Sequence, residues 1–387
     1  DTDRSRGLGD VYKRQILYKA MKKFMFLATA GLLALASCQE KAGYTIKGTA
    51  EGVADGETVF LQDYVDGNFV KKDSAVVKAG AFEFKGTPDS VTVSRYVTCW
   101  SNNQRMMTMV FLENGVINVN LAPKGESTVA GTLCNDAYQK FMGEYGALSK
   151  EMREMYRKSM ADSTLTDAQR EEIMKELDKK DSLGMEMVLN AMASNIDNAM
   201  GVHMLASYGS SFPAEKVEPL LDKVPAAFSN NEKVVELKNY FSVLKKTAVG
   251  QKFTDFSMNT PEGQTVKLSD FISQNKYTLI DFWASWCGPC RREMPVVVEA
   301  YKNFKAKGFG IVGVSLDEDL DKWKKAITDL NITWPQMSDL KGWQCEGAKL
   351  YGVRGIPATV LVDQEGTIVA RDLRGDDLGK KLGELMK

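Results

Sequence analysis

Two cysteines, Cys287 and Cys290, stand two residues apart at the end of an apolar run, Leu279-Ile-Asp-Phe-Trp283. Thiolates exchange with disulfides and bind soft metals, so the pair could serve redox chemistry or form half of a zinc site. Zinc takes four ligands. The chain has one histidine, His203, and no second Cys-x-x-Cys, which leaves redox exchange as the reading. The run Leu279 to Trp283 suits a short buried strand, and the composition from Arg291 onward is helical. The thiols therefore sit where a strand gives way to a helix. Unsatisfied N–H groups and the positive end of the helix dipole stabilise an anion there, which lowers a thiol pKa.

On this reading Cys287 occupies the exposed tip and Cys290 lies one turn in, within disulfide reach. Pro289 has no N–H to donate and a pre-set φ, so it suits the first turn. Pro295 falls inside the helix and is expected to kink it. Asp281 is an acid within an apolar strand, costly to bury unless it has work or partners, and so is a candidate proton carrier. Glu293 is a second candidate acid, with a solvated helix position as its alternative.

Trp286-Cys-Gly-Pro-Cys290 after Asp281-Phe-Trp-Ala284 resembles the active site of the thioredoxin superfamily. The extension Cys287-x-x-Cys290-x-x-Glu293-x-Pro295 is similar to that of the TlpA-like membrane-anchored thiol-disulfide reductases. The resemblance covers about residues 250 to 387. It implies that Cys287 attacks a substrate disulfide, that Cys290 resolves the mixed disulfide, and that Asp281 and Glu293 help move the second thiol's proton. It also implies a cis-proline facing the disulfide, matched by Gly355-Ile-Pro-Ala-Thr359. Pro357 would prevent metal capture and Ile356 would pair with the substrate strand, with Trp286, Gly288 and Pro289 as the other substrate contacts. Gly-Pro between the thiols goes with a reducing poise in that superfamily.

These groups need a scaffold, and residues 248–387 supply an alternation of strands and helices that argues an α/β thioredoxin-like domain, a central mixed sheet with flanking helices. Phe253 to Phe256 and Val266 to Asp270, around Pro261-Glu-Gly263, resemble the leading hairpin of exported and peroxidase-type relatives. Phe309 to Ser315 reads as a strand and Leu320 to Leu330 as a helix capped by Asp317 or Asp319. A further helix ends at Ala348 to Tyr351, strands surround Gln364-Glu-Gly366, and a helix from Asp377 to Met386 closes the module. Trp283, Trp286 and Trp343 are assigned to the rim and core of the site, not to a ligand cage.

Residues 133–247 form a helical middle segment, with a cap within Thr164 to Asp167 before a charged run. Ten of the 19 methionines lie between Met142 and Met204. Pairs such as Met152 and Met155 share a helix face, so packing is preferred to a copper box. Residues 38–132 read as a small antiparallel β domain, a sandwich or open barrel. Its strands are placed at 44–48, 58–62, 81–85, 91–95, 107–112 and 116–120. Asp66-Gly67, Ala79-Gly80 and Asn114-Gly115 are the turn cues. It resembles the β-rich domain of unassigned function that precedes thioredoxin modules in exported lipoproteins.

Residues 1–20 have no apolar period and precede a convincing start at Met21-Lys-Lys23, so they read as a non-native extension. Phe24 to Ala36 is too short to span a bilayer and fits a secretory segment in a signal peptide of residues 21–37. Leu35-Ala-Ser-Cys38 resembles a bacterial lipobox, which implies a lipidated Cys38 and a membrane tether. Net charge is −1, with both leading segments positive, so the remainder is acidic and carries no nucleic-acid footprint. Cys99, Cys134 and Cys345 remain, an odd set without regular spacing, and packing is preferred to a disulfide framework. His203 reads as structural.

The expectation is a lipid-anchored thiol-disulfide oxidoreductase facing the periplasm of a Gram-negative envelope. Its partners would be disulfide-containing envelope proteins and a membrane electron donor, with no cofactor. The alternatives are a thiol-dependent peroxidase of the AhpC/TSA type and a tethered partner-binding lipoprotein with a vestigial redox site.

Overall fold

The computed structural model describes residues 43–387 apart from Asp66 and Ser90. The expected extension at 1–20, the signal peptide at 21–37 and the lipidation site Cys38 lie outside the described residues. Internal packing divides the chain into two units: one reaches Leu205 and includes Lys223–Phe228, and the other comprises Ala206–Asp222 and Ser229–Lys387.

Among the described residues of the first unit, eight strands form two four-stranded sheets. These are β1 (Tyr44–Ala50), β2 (Thr58–Val65), β3 (Asn68–Val76), β4 (Ala81–Gly86), β5 (Ser94–Ser101), β6 (Gln104–Phe111), β7 (Gly115–Leu121) and β8 (Thr128–Ala130). The sheet orders are β4-β1-β7-β8 and β3-β2-β5-β6. Strand β1 buries Tyr44, Ile46 and Ala50 on one face, the period-2 alternation of a half-buried strand. These residues share a core with Leu61 and Val97 of the other sheet.

Several local expectations are corrected. Strand β3 is an additional strand that shows no period in the sequence, because Lys71, Lys72 and Asp73 break its alternation, as suits an exposed edge strand. Strand β8, at three residues, is too short to show a period. Strand β5 starts at Ser94 rather than Val91. Asn114-Gly115 makes no hairpin, since β6 and β7 belong to different sheets, and β7 pairs parallel with β1. Ala79 and Gly80, with φ of 49° and 73°, do form a tight turn closed by Lys78 and Ala81.

The helices of this unit are α1 (Leu133–Ala161), α2 (Asp167–Ser194) and most of α3 (Ala199–Tyr208). Thr166 and Gln169 make a capping box at the start of α2. Met192, Met200 and Met204 are buried. His203 Nδ1 lies 3.2 Å from Ser94 Oγ, and its ring meets Phe111 edge-on.

The second unit begins with α4 (Ala214–Leu221) and α5 (Glu232–Lys246), then β9 (Ser257–Asn259), β10 (Thr265–Lys267) and the single turn α6 (Ser269–Ile272). The β9–β10 hairpin starts four residues later than expected. The Phe253 N–H donates to Gly366 O and the Thr254 N–H to Tyr351 Oη, so these backbone groups serve other elements.

The sheet follows: β11 (Tyr277–Trp283), α7 (Gly288–Phe304), β12 (Phe309–Ser315), α8 (Leu320–Asp329), β13 (Gln336–Met337), α9 (Glu346–Leu350), β14 (Ala358–Asp363), β15 (Ile368–Arg371) and α10 (Asp376–Leu385). Strand order is β13-β12-β11-β14-β15, with β11 parallel to β12 and antiparallel to β14. This is the mixed sheet of a thioredoxin-like domain. From Thr278 on, β11 is buried, because a central strand covered on both faces reads as a continuous apolar run. Helix α7 continues through Pro295. Asp319 caps α8 by accepting the N–H groups of Asp321 and Lys322.

Candidate active site

Strand β11 delivers the chain to a short loop in which the Cys287 N–H donates to Ala284 O at 3.1 Å. Cys287 is the N-cap of α7, with Gly288 and Pro289 as its first two helical residues. The missing Pro289 N–H is one that the first turn would leave unsatisfied in any case. Cys287 and Cys290 form a disulfide with Cα atoms 5.3 Å apart. The Cys290 N–H donates to Cys287 Sγ at 3.1 Å, so a thiolate on Cys287 would inherit that donor and the helix dipole.

The Ile356–Pro357 peptide bond is cis, and Ile356 O lies 3.6 Å from Cys287 Sγ. In the disulfide this is a contact and not a hydrogen bond, because the sulfur carries no proton. The Ile356 loop corrects the expectation of an exposed tip: Cys287 is only 4% exposed. Arg374 holds the loop by donating to Pro357 O. Trp286 is 54% exposed and projects into solvent, whereas Trp283 is wholly buried and donates from Nε1 to Gln336 Oε1.

Asp281 lies in the middle of the sheet, opposite Gly313 on β12 and Thr359 on β14. It is 3% exposed, and its Oδ2 has no partner among the described residues. Burial pushes its carboxyl up to about 7, and the charge of Glu293 adds to the rise. Glu293, one turn after Cys290 on α7, is half-buried and accepts the N–H of Gly375. The two acids expected from sequence are thus brought within electrostatic reach of each other.

A second buried carboxylate, Asp317, is 1% exposed and was read from sequence only as an alternative cap for α8. Instead it accepts the Ser285 N–H at 2.9 Å, the Ser285 hydroxyl, and the Ser315 hydroxyl at 2.7 Å. It thereby ties the loop before Cys287 to the end of β12. The signal that could have found it is positional: Ser315 ends a sheet strand and Asp317 follows it, at the carboxyl end where α/β sheets place their sites. Trp343, 46% exposed, also comes to the rim, its ring centroid 6.1 Å from that of Trp286.

The other cysteines stand apart from this chemistry. Cys99, Cys134 and Cys345 are buried free thiols, and burial pushes Cys345 up to about 11 and Cys134 up to about 12. Among the described residues no group of three His, Cys, Asp or Glu side chains could hold a metal ion. No helix among them is long and apolar enough to cross a membrane.

Residues 249–371 match the AhpC/TSA family, and residues 44–138 match a family described as a domain of unknown function, DUF4369. Over 150 residues the chain is 31% identical to the thiol-disulfide oxidoreductase ResA of Bacillus cereus, covering 39% of this chain and 83% of that protein. Identity to the thioredoxin-like protein YneN of Bacillus subtilis is 33% over 135 residues, 34% of this chain and 74% of the other. Among solved structures, the thioredoxin domain of a thiol-disulfide oxidoreductase from Bacteroides vulgatus is 38% identical. It covers 36% of this chain and 99% of that domain, with a TM-score of 0.34.

Proposed function

Because the chain belongs to the TlpA-like thiol-disulfide oxidoreductases of the thioredoxin superfamily, we propose that it is a tethered reductase of disulfides in envelope proteins. The observation that supports this reading is the Cys287–Cys290 disulfide, set against the cis Ile356–Pro357 bond in a domain whose central strand carries a buried acid.

In the reduced enzyme, the Cys287 thiolate attacks one sulfur of a partner disulfide, forms a mixed disulfide and expels the other partner sulfur as a thiolate, which takes up a proton. The Cys290 thiol gives its proton to Asp281, and the new thiolate attacks Cys287 Sγ. The second partner sulfur leaves as a thiolate and takes up the proton held on Asp281, and Cys287–Cys290 becomes the disulfide. Two electrons and two protons have passed to the partner. A carboxyl that titrates at about 7 can take that proton and return it near neutral pH. Glu293 tunes Asp281, while Trp286, Gly288, Pro289 and Ile356 contact the substrate strand. A dithiol of a membrane electron donor restores the reduced state.

Lipidation at Cys38 would hold the enzyme in a Gram-negative envelope facing the periplasm, with residues 38–132 and 133–247 preceding the catalytic domain at 248–387. The reading is tested by insulin reduction with dithiothreitol and by trapping of mixed disulfides on Cys290→Ala, identified by mass spectrometry. Absence of turnover would favour the tethered partner-binding protein. A reduction potential above about −150 mV would make the enzyme an oxidase.

The AhpC/TSA match favours a second reading, a thiol peroxidase. Such an enzyme needs Cys287 alone for peroxide attack. Hydroperoxide consumption by Cys290→Ser as fast as by the wild type would establish it in place of disulfide exchange.

A further inference from the structure

Two indoles stand in solvent beside the disulfide, on separate segments of the chain. Trp286 immediately precedes Cys287, whereas Trp343 is contributed by the loop between β13 and α9; their ring planes meet at 57°. Exposed tryptophan is a poor use of a large apolar surface in a lone protein and a frequent anchor where proteins meet.

The Trp343 loop is built to hold its position. Asp339 accepts the Lys341 N–H at 3.2 Å through one oxygen and the Glu346 N–H at 3.0 Å through the other, so one carboxylate ties both sides of Trp343. Ser338 Oγ accepts the Leu340 N–H and donates to Ser315 O. Cys345, two residues past the indole, is fully buried and roots the loop in the core. Leu340 and Gly342 both have a φ of 54°, and the left-handed region is unfavourable for a leucine. A Cβ at Gly342 would collide with the Glu318 side chain. Glycine relieves both the close approach and the backbone strain where the loop turns to present the indole.

A rigid, outward-held side chain binds with less loss of entropy than a mobile one. The occupant follows from the enzyme class: thiol-disulfide exchange brings a partner sulfur to Cys287, and Trp286 is continuous with that contact. We propose that Trp343 is a specificity-determining residue. With Trp286 it forms an aromatic seat for an apolar side chain that flanks the reacting half-cystine of a polypeptide. The proposal rests on the reading that polypeptide disulfides are the substrates. It extends that reading by naming which are preferred: those with Phe, Leu, Met or Tyr beside the cysteine.

The test uses two cyclic peptide disulfides that differ only in the residue beside one cysteine, Phe or Ser, reduced by the full chain with dithiothreitol as regenerant. The wild type is expected to favour the Phe peptide in kcat/KM by about tenfold. Trp343→Ala should bring that ratio to within about twofold, chiefly through KM, and Trp343→Phe should restore most of it. Equal wild-type rates on the two peptides would overturn the seat while leaving the protein-disulfide reading intact. So would an equal loss on both peptides in Trp343→Ala, or a shifted reduction potential, since Trp343 would then serve loop structure alone. Failure of the wild type to reduce either peptide would overturn the substrate reading and the seat with it.

Discussion

Asp281 and Asp317 occupy neighbouring strands of one sheet, one within β11 and the other just past β12, and both are buried. Asp317 receives three donors, two from Ser285 and one from Ser315, so its carboxylate is solvated by the protein. Asp281 leaves one oxygen without a partner and has Glu293 as an electrostatic neighbour. The first is an anchor that fixes the loop leading to Cys287. The second is held near its protonation midpoint at neutral pH, which a proton carrier requires and an anchor does not. Burial alone does not set the role of a carboxylate; the donors around it do.

The largest effect that sharpens this contrast is on stability against pH. Asp281 has its folded pKa raised to about 7 from 3.8, so it contributes stability that is full below about pH 4 and is lost as pH rises through about 7. The loss is up to ~4 kcal/mol by the one-unit rule. Urea unfolding of the oxidised protein between pH 4 and pH 8 measures it. The slope should vanish in Asp281→Asn; an unchanged slope would place the titration elsewhere.

Asp317→Ala should lower stability by ~3 kcal/mol, because it leaves the half-buried Ser285 and buried Ser315 donors unsatisfied. Guanidinium midpoints test this, and an unchanged midpoint would break the distinction between the two acids. Next comes the chemistry. In Asp281→Asn the resolving attack by Cys290 should slow by ~100-fold, the usual scale for a general base. The lifetime of a mixed disulfide in rapid acid quench reports it. Glu293→Gln should give the smallest effect, a lowered Asp281 pKa, since burial is the larger cause of its rise and the Glu293 charge the smaller. The pH profile of single-turnover reduction reads that shift, and an upward move would contradict the assigned sign.

Much of the catalytic domain could be read from its residues. Strand β12 spans Phe309–Ser315 as expected, and Asp319 is one of the two caps foreseen for α8. These features rest on interactions within a few residues, which composition and period express directly. The burial of Cys287 was not legible, since it depends on the Ile356 loop, 69 positions away. Asp317 was invisible as an anchor because two of its three donors come from Ser285, 32 residues earlier. The Asn114-Gly115 cue failed for a related reason: the preference of a dipeptide for a turn says nothing about which strands then pair.

By itself the sequence determined the reactive unit: two thiols at helix-turn spacing, a proline in the first turn, and an acid in the strand that leads to them. Each depends on covalent neighbours and survives in any compact fold that keeps a strand before a helix. Tertiary structure alone decided how far Cys287 is covered, that Asp281 Oδ2 goes without a donor, and that Glu293 accepts the Gly375 N–H. It also brought Trp343 beside Trp286. Those outcomes depend on desolvation and on contacts between distant segments, which exist only once the sheet has closed.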